Sequence, residues 1–460
     1  MIRRFATLLL AAILTATLAP GVAAAAPATT HYTGVLRDGG SWVADVPARW
    51  NGTLVLYSHG FGALEAIDAP NPEVQQAMLD RGYALVGSSY DPNGSIWALN
   101  SATRDQFESL AAITRIIGRP RLTLALGSSM GGLVSGQEAQ IGGRLIDGAV
   151  SICGLMAGGI NLNNYQLDGT YALNQMLRPD DPVKLVRYAS PAEGAAAAAA
   201  LSATATAARA TAAGQARVAL ATALLNMPTW SNSQAQAPRD AAGIATAQYE
   251  WMTGALPFIM PARYFIELSA GGNASWNTGV DYAALLARSP HRDTVETLYR
   301  RAGLSLRADL SSLTRHAGVR ADKAAVRTLS RTSTLSGHLD VPNLTMHTLY
   351  DQLAPVEFQD QYARQVRTAG DQHLLRQSYV NRRGHCAFEP SEIIAAVRAV
   401  EHRVVTGRWD QVATARHLQA DARALGLADD PAFVRYRPGR FVNDRHLKVR
   451  AGWPSAARLG

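Results

Sequence analysis

The feature that most constrains this chain is an apolar, strand-like run, Leu122 to Leu126, that passes directly into Gly127-Ser128-Ser129-Met130-Gly131-Gly132 and then into a helix-compatible stretch, Leu133 to Ile141. A serine with glycine two residues away on either side, between a strand and a helix, is the pattern of a sharp turn whose apex side chain stands clear of the backbone. The glycines have a steric task there, because bulky neighbours collide with adjoining backbone. Ser129 is the residue so placed. Ser128 is the adjacent rival, but it lacks the symmetric glycines. A serine exposed at a helix N-terminus can attack a carbonyl carbon once a base removes its proton.

The surrounding chain alternates strands and helices. Thr33 to Leu36 and Trp42 to Val46 flank Arg37-Asp38-Gly39-Gly40, which predicts an antiparallel hairpin. Gly52 to Ser58, Tyr83 to Ser88 and Gly148 to Cys153 have strand character, while Pro72 to Arg81 and Ala102 to Ile117 have helical spacing. Units of this kind predict a mainly parallel sheet covered by helices on both faces. The rhythm stops between about Leu155 and Leu339, where several helices fit, among them Arg292 to Ala302 and Asp322 to Leu329. The alanine-rich stretch Ala195 to Leu225 reads as helix on propensity, with Gly214 its only breaker and a low-complexity linker as the alternative. Alternation then resumes with Asn343 to Leu349, Pro355 to Val366, His373 to Val380 and Glu392 to Val405. The expected organisation is an α/β catalytic domain over residues 26–154 and 340–460, with a large helical cap inserted at residues 155–339.

Composition narrows the function classes. Of the 44 basic residues only Lys184, Lys323 and Lys448 are lysines, and the arginines behind the net charge of +8 are scattered. A nucleic-acid surface needs them clustered on one face, so no nucleic-acid partner is expected. Two cysteines exclude a disulfide scaffold and a four-cysteine zinc site. There is no H-E-x-x-H spacing and no phosphate-binding Gly-Lys-Ser or Gly-Lys-Thr sequence, so neither metal nor cofactor is expected. At the N-terminus, Arg3 and Arg4 precede an apolar run, Phe5 to Leu18, and then Pro20, Gly21 and Ala23 to Ala26. That order predicts a signal peptide over residues 1–25 and a secreted protein with no stable membrane anchor, an uncleaved anchor being the alternative.

Over Thr33 to Cys153 and Asn343 to Val405 the chain resembles the α/β-hydrolase superfamily. The resemblance implies a serine nucleophile, an acid after a later strand and a histidine beyond the last strand, in that order. Asp351, in Leu349-Tyr350-Asp351-Gln352, follows an apolar strand and is the expected acid; a helix N-cap is its alternative role. Asp340 precedes the same strand, and Asp360 and Asp371 fall within or beyond the next helix. His385, in Gly384-His385-Cys386, is the expected base. His347, His373 and His402 read as structural, and His417 and His446 lie in the tail. His59-Gly60-Phe61-Gly62 resembles the family's first oxyanion loop, so the N–H groups of Met130 and Phe61 are the expected oxyanion donors, with Gly62 one residue away from the second. His59 itself is expected to bond to backbone.

The same topology brings Cys153 and Cys386 to one edge of the site and predicts a disulfide tethering the histidine loop, with two free buried thiols as the alternative. The His-Cys pair is similar to that of tannase and feruloyl-esterase-like hydrolases, where a cysteine immediately before the nucleophile pairs with one immediately after the histidine. Ser128 occupies that position here, which weakens the case for an aromatic-ester substrate.

The expectation is therefore a secreted serine hydrolase cleaving small-molecule or polymeric carboxylic esters through an acyl-enzyme. The alternatives are a peptidase or amidase of the same fold, with Glu250 and Glu267 as candidates to hold a peptide amine, and a non-catalytic binding protein on a hydrolase scaffold. Trp230, Trp251, Phe258, Tyr264, Phe265 and Trp276 of the insertion read as core or as pocket wall. The stretch from Trp409 to Gly460 is expected to pack against the catalytic domain.

Overall fold

The structure, a computed structural model, describes residues 28–445. The segment read as an export signal lies outside the described residues, as does His446.

The strands are β1 (Thr29–Val35), β2 (Ser41–Pro47), β3 (Thr53–Ser58), β4 (Ala84–Ser88), β5 (Leu122–Ser128), β6 (Gly148–Ile152), β7 (Asn343–Tyr350), β8 (Leu375–Arg383) and β9 (Phe433–Val434). They form one sheet in the order β1-β2-β4-β3-β5-β6-β7-β8-β9. From β4 across to β8 every neighbouring pair is parallel, whereas β1 and β2 at one edge and β9 at the other run antiparallel. Combined with the strand-turn-helix at Ser129, this is the α/β-hydrolase fold.

Strands β3 to β6 are buried along their whole length. Period-two alternation divides their side chains between two apolar clusters. Leu54, Leu56, Val86 and Ala125 face α2 (Ala102–Ile117) and α3 (Met130–Ile141). Val55, Leu85, Leu124 and Leu126 face α1 (Pro72–Leu79) and the later α13 (Pro390–Thr406).

Between β6 and β7 the chain forms α4 (Gly158–Leu177), α5 (Pro191–Ala208), α6 (Ala212–Leu224), α7 (Ala241–Ala270), α8 (Tyr282–Arg288), α9 (Arg292–Arg301), α10 (Leu306–His316) and α11 (Lys323–Ser333). The alanine-rich stretch is two helices, and the break falls before Gly214, not at it. The Thr211 side chain caps α6 by accepting from the Gly214 N–H. A Cβ at Gly214 would stand 1.9 Å from the Ala208 carbonyl oxygen, so the glycine is what lets the second helix start so close to the end of the first. After β7 come α12 (Phe358–Ala369), α13 and α14 (Ala415–Ala424).

The C-terminal segment, as far as it is described, packs on the sheet and also reaches the insertion. β9 pairs with β8, and Trp409, Leu418 and Ala422 join the apolar cluster of α13. Phe441 meets Tyr165 of α4 and Phe358 of α12 edge-on. Arg445 then closes a bidentate pair with the fully buried Asp168 of α4, at 2.7 and 2.8 Å, which Asn443 and Tyr282 complete as donors. Removing one member of a buried ion pair strands the other charge. Arg445→Ala is expected to cost about 3 kcal/mol, read as a lower urea midpoint. Adding Asp168→Asn should cost less than the sum of the single losses; strict additivity would show that the two do not act as a pair.

Candidate active site

Ser129 sits between the last residue of β5 and the first of α3 with φ 59° and ψ −120°. A non-glycine residue adopts that conformation only when its surroundings impose it. Here the imposing contacts are backbone. A Cβ at Gly127 would stand 1.9 Å from the Gly131 carbonyl oxygen, and one at Gly131 would stand 1.9 Å from that of Ser58. A Cβ at Gly132 would be 2.6 Å from the Gly154 Cα. Any side chain at these positions would push α3 off β3, β5 and the turn after β6. The Ser129 N–H donates to the Ile152 carbonyl, which ties the turn to β6.

Three strand ends converge on this serine. His385, on the loop after β8, places Nε2 2.7 Å from Ser129 Oγ and Nδ1 2.7 Å from Asp351 Oδ2. An ionised carboxylate only accepts, so Nδ1 carries the proton and Nε2 is free to accept from the Ser129 hydroxyl. Asp351 follows β7 and is 1% exposed. Its Oδ1 accepts from the N–H groups of Leu353 and Ala354. Burial on its own would raise the Asp351 pKa, but the charge of His385 and hydrogen bonds from His347 and His385 outweigh it and hold the carboxyl well below the usual range.

The loop after β3 lies against the same serine: a Cβ at Gly60 would be 3.2 Å from Ser129 Cβ. Phe61 follows Gly60 in that loop, and Met130 is the first residue of α3, where backbone N–H groups have no intrahelical acceptor. His59 is held by Tyr90 and by its own loop. Its ring stacks on Tyr90 at 4.0 Å, its Nδ1 bonds to the Gly60 carbonyl, and burial lowers its pKa. Ser128 points to the other side of the turn, where its Oγ is 2.6 Å from the Tyr57 hydroxyl. Cys153, just after β6, and Cys386, just after the histidine, are joined by a disulfide.

Two residues support the site: His347, which the sequence reads as structural, and Glu138, which escapes sequence reading. His347 lies inside β7, fully buried, and its Nε2 bonds to the Ala354 carbonyl at 2.7 Å and approaches Asp351 Oδ2 at 3.4 Å. Gln359 Nε2 donates to the other ring nitrogen and fixes the tautomer. The available signal for its contact with the acid was its position in β7, four residues before Asp351. Glu138 is buried in α3, where Ser58 Oγ donates to it at 3.3 Å, and Gln106 Nε2 donates in turn to that hydroxyl and to the Tyr57 carbonyl. This network underlies the end of β3, from which the Gly60 loop departs. Glu250 and Glu267 are both engaged internally: the first accepts from Ser231 and Ser233, the second from the Arg187 N–H.

No family model matches the chain. It is 26% identical over 442 residues to an o-phthalyl amidase from Xanthobacter agilis, an alignment covering 87% of this chain and 94% of that one. Among solved structures, feruloyl esterase B from Aspergillus oryzae superposes with a TM-score of 0.42 at 13% identity, over 82% of this chain and 80% of that one. An esterase from the same organism gives 0.43 at 14% identity, over 80% and 77%.

Burial pushes the Glu138 carboxyl up to about 8, against the lowering effect of the Ser58 hydrogen bond. A folded-state pKa above the unfolded value contributes stability that is complete below about pH 4.3 and is lost as pH rises through the folded value. Wild-type protein is therefore expected to lose thermal stability between pH 5 and 9, and Glu138→Gln to show a flatter profile in the same scans. Parallel profiles would exclude Glu138 as the titrating group.

Proposed function

We propose that this protein is a serine hydrolase that cleaves carboxylic esters or amides through an acyl-enzyme. The observation carrying the reading is the continuous relay Ser129–His385–Asp351, with both hydrogen-bond distances at 2.7 Å. In this reading His385 Nε2 takes the Ser129 proton as Oγ bonds to the substrate carbonyl carbon. The carbonyl oxygen becomes an oxyanion facing the N–H groups of Met130 and Phe61. Collapse expels the leaving group, which takes the proton from His385. Water then repeats the sequence, giving its proton to His385 and its oxygen to the acyl carbon, and Ser129 is regenerated. Asp351, kept ionised, holds the imidazole in the productive tautomer and balances its charge in both half-reactions.

The leaving atom divides two readings. An ester is the expectation from the sequence. An amide is favoured by the relative named an o-phthalyl amidase, whose alignment spans nearly its whole length. Helices α4 to α11 act as the cap in this proposal, supported by the Tyr165 hydroxyl, which donates to the Leu353 carbonyl beside Asp351, and by Trp230, which meets Tyr350 edge-on at 5.3 Å. The catalytic domain is then residues 26–154 and 340–460, with the cap at 155–339. Export is supported by the disulfide, which suits an oxidising compartment, and by the N-terminal sequence pattern. No helix of the described residues is long and apolar enough to cross a membrane.

Hydrolysis of p-nitrophenyl esters and matched p-nitroanilides tests the proposal. Ser129→Ala is expected to lower kcat by at least about a thousandfold, and Asp351→Asn by a comparable factor. Faster turnover of anilides than esters relative to their uncatalysed rates selects the amide reading. Undiminished hydrolysis by Ser129→Ala would overturn the mechanism.

A further inference from the structure

A cavity of about 270 Å³ lies where the insertion, the loop after β7 and the C-terminal segment meet. Met227 and His291 contribute from the insertion, Tyr350, Asp351 and Glu357 from the end of β7 onward, and Tyr436 from the segment after β9. Neither Ser129 nor His385 lines it, although Asp351 does. Tyr436, 39% exposed, brings the cavity to the surface.

Two polar groups of this wall lack a partner. His291 is 9% exposed, and while its backbone N–H donates to Ser289 Oγ, its imidazole has no hydrogen-bond partner among the described residues. Burial pulls that imidazole down to about 4, so at neutral pH it is uncharged and one ring nitrogen is an acceptor. The other group is Glu357. Among the described residues no lysine or arginine lines the cavity with it, and the second lining carboxylate, Asp351, is already engaged by two imidazoles. Burial pushes the Glu357 carboxyl up to about 7, against the lowering effects of its own backbone N–H and of His347. Burial, followed by the charges of Glu357 and Tyr350, pushes the Tyr436 phenol up to about 12, so the carboxylate lies within electrostatic reach of that ring.

A buried carboxylate without a cation is costly, and a buried imidazole without a partner is a hydrogen bond left unmade. A primary ammonium group answers both, because it carries the missing charge together with three N–H donors. Tyrosine rings in the wall also suit a cation, and Met227, Pro228 and Val356 supply apolar surface for a short alkyl chain. We propose that this cavity binds a primary alkylammonium ion, with the Glu357 carboxylate as its counter-ion and the His291 imidazole accepting one of its N–H groups. The site goes beyond the serine-hydrolase reading and does not rest on it.

Calorimetry at pH 8, where Glu357 is ionised and His291 neutral, compares n-butylammonium with 1-butanol, a neutral analogue of the same chain length. Wild type is expected to bind the ammonium at least about tenfold more tightly than the alcohol, and Glu357→Gln should abolish that preference. Ser129→Ala should bind the ammonium as wild type does. In methyl-labelled wild-type protein the Met227 resonance should shift during the titration, which locates the ligand without any substitution. Absence of ammonium binding, equal affinity for ammonium and alcohol, an undiminished preference in folded Glu357→Gln, or a Met227 methyl that does not respond would each overturn the site. Loss of binding in Ser129→Ala would place the ammonium at the serine and overturn it as well.

Discussion

The close approach of backbone to backbone around Gly127, Gly131 and Gly132 is the constraint on which the rest of the structure depends. Three places where even a methyl group would collide with a carbonyl oxygen or an α-carbon press the start of α3 against β3, β5 and the chain after β6. The compression holds Ser129 at positive φ, with its hydroxyl 2.7 Å from His385 Nε2. Strain of this kind costs roughly 1–3 kcal/mol and persists because the buried strands on either side are held by both apolar clusters. Core packing and the position of one hydroxyl are thus the same problem, solved by three glycines.

Around that hydroxyl the supports are layered. Asp351 is a buried carboxylate, which survives only because two backbone N–H groups and two imidazoles face it. His347 and Gln359 orient the inner imidazole from beneath, and the disulfide ties the loop bearing His385 to the end of β6, one strand from the serine. Glu138 takes the opposite approach: with no cation beside it among the described residues, its burial favours the neutral form. Two buried acids within one site are therefore driven in opposite directions by their partners. The charged one lies in the relay, and the other braces the strand that feeds the Gly60 loop.

Much of this was legible in the sequence where local chemistry and tertiary context agree. Helix α2 has the residue limits that its apolar spacing predicted, because Gly118, at φ 84°, ends it where the periodicity ends. Ser129 and Asp351 were readable as candidates because each directly follows a largely buried strand, and His385 because it follows Gly384 on the loop after β8; parallel strands bring their carboxyl ends to one edge. The structure draws these three together. The 30 residues of α7 were not readable as one helix, since Pro257 and Pro261 each mark a local stop that packing overrides. The split between α5 and α6 was invisible to propensity, because it depends on the Thr211 cap and a clash at Gly214. Glu138 was passed over for a related reason: its partner Ser58, and through it Gln106, come from a strand and a helix distant in sequence, and a polar residue in a buried element declares its role only once those partners are known.

The most direct measurement is rapid-quench mass spectrometry of the protein mixed with a slowly deacylating aryl ester. A covalent acyl adduct should appear on the peptide containing Ser129, form at the rate of the p-nitrophenol burst and be absent in Ser129→Ala. An adduct on another residue, or steady turnover by Ser129→Ala, would contradict a reaction built on the Ser129 turn.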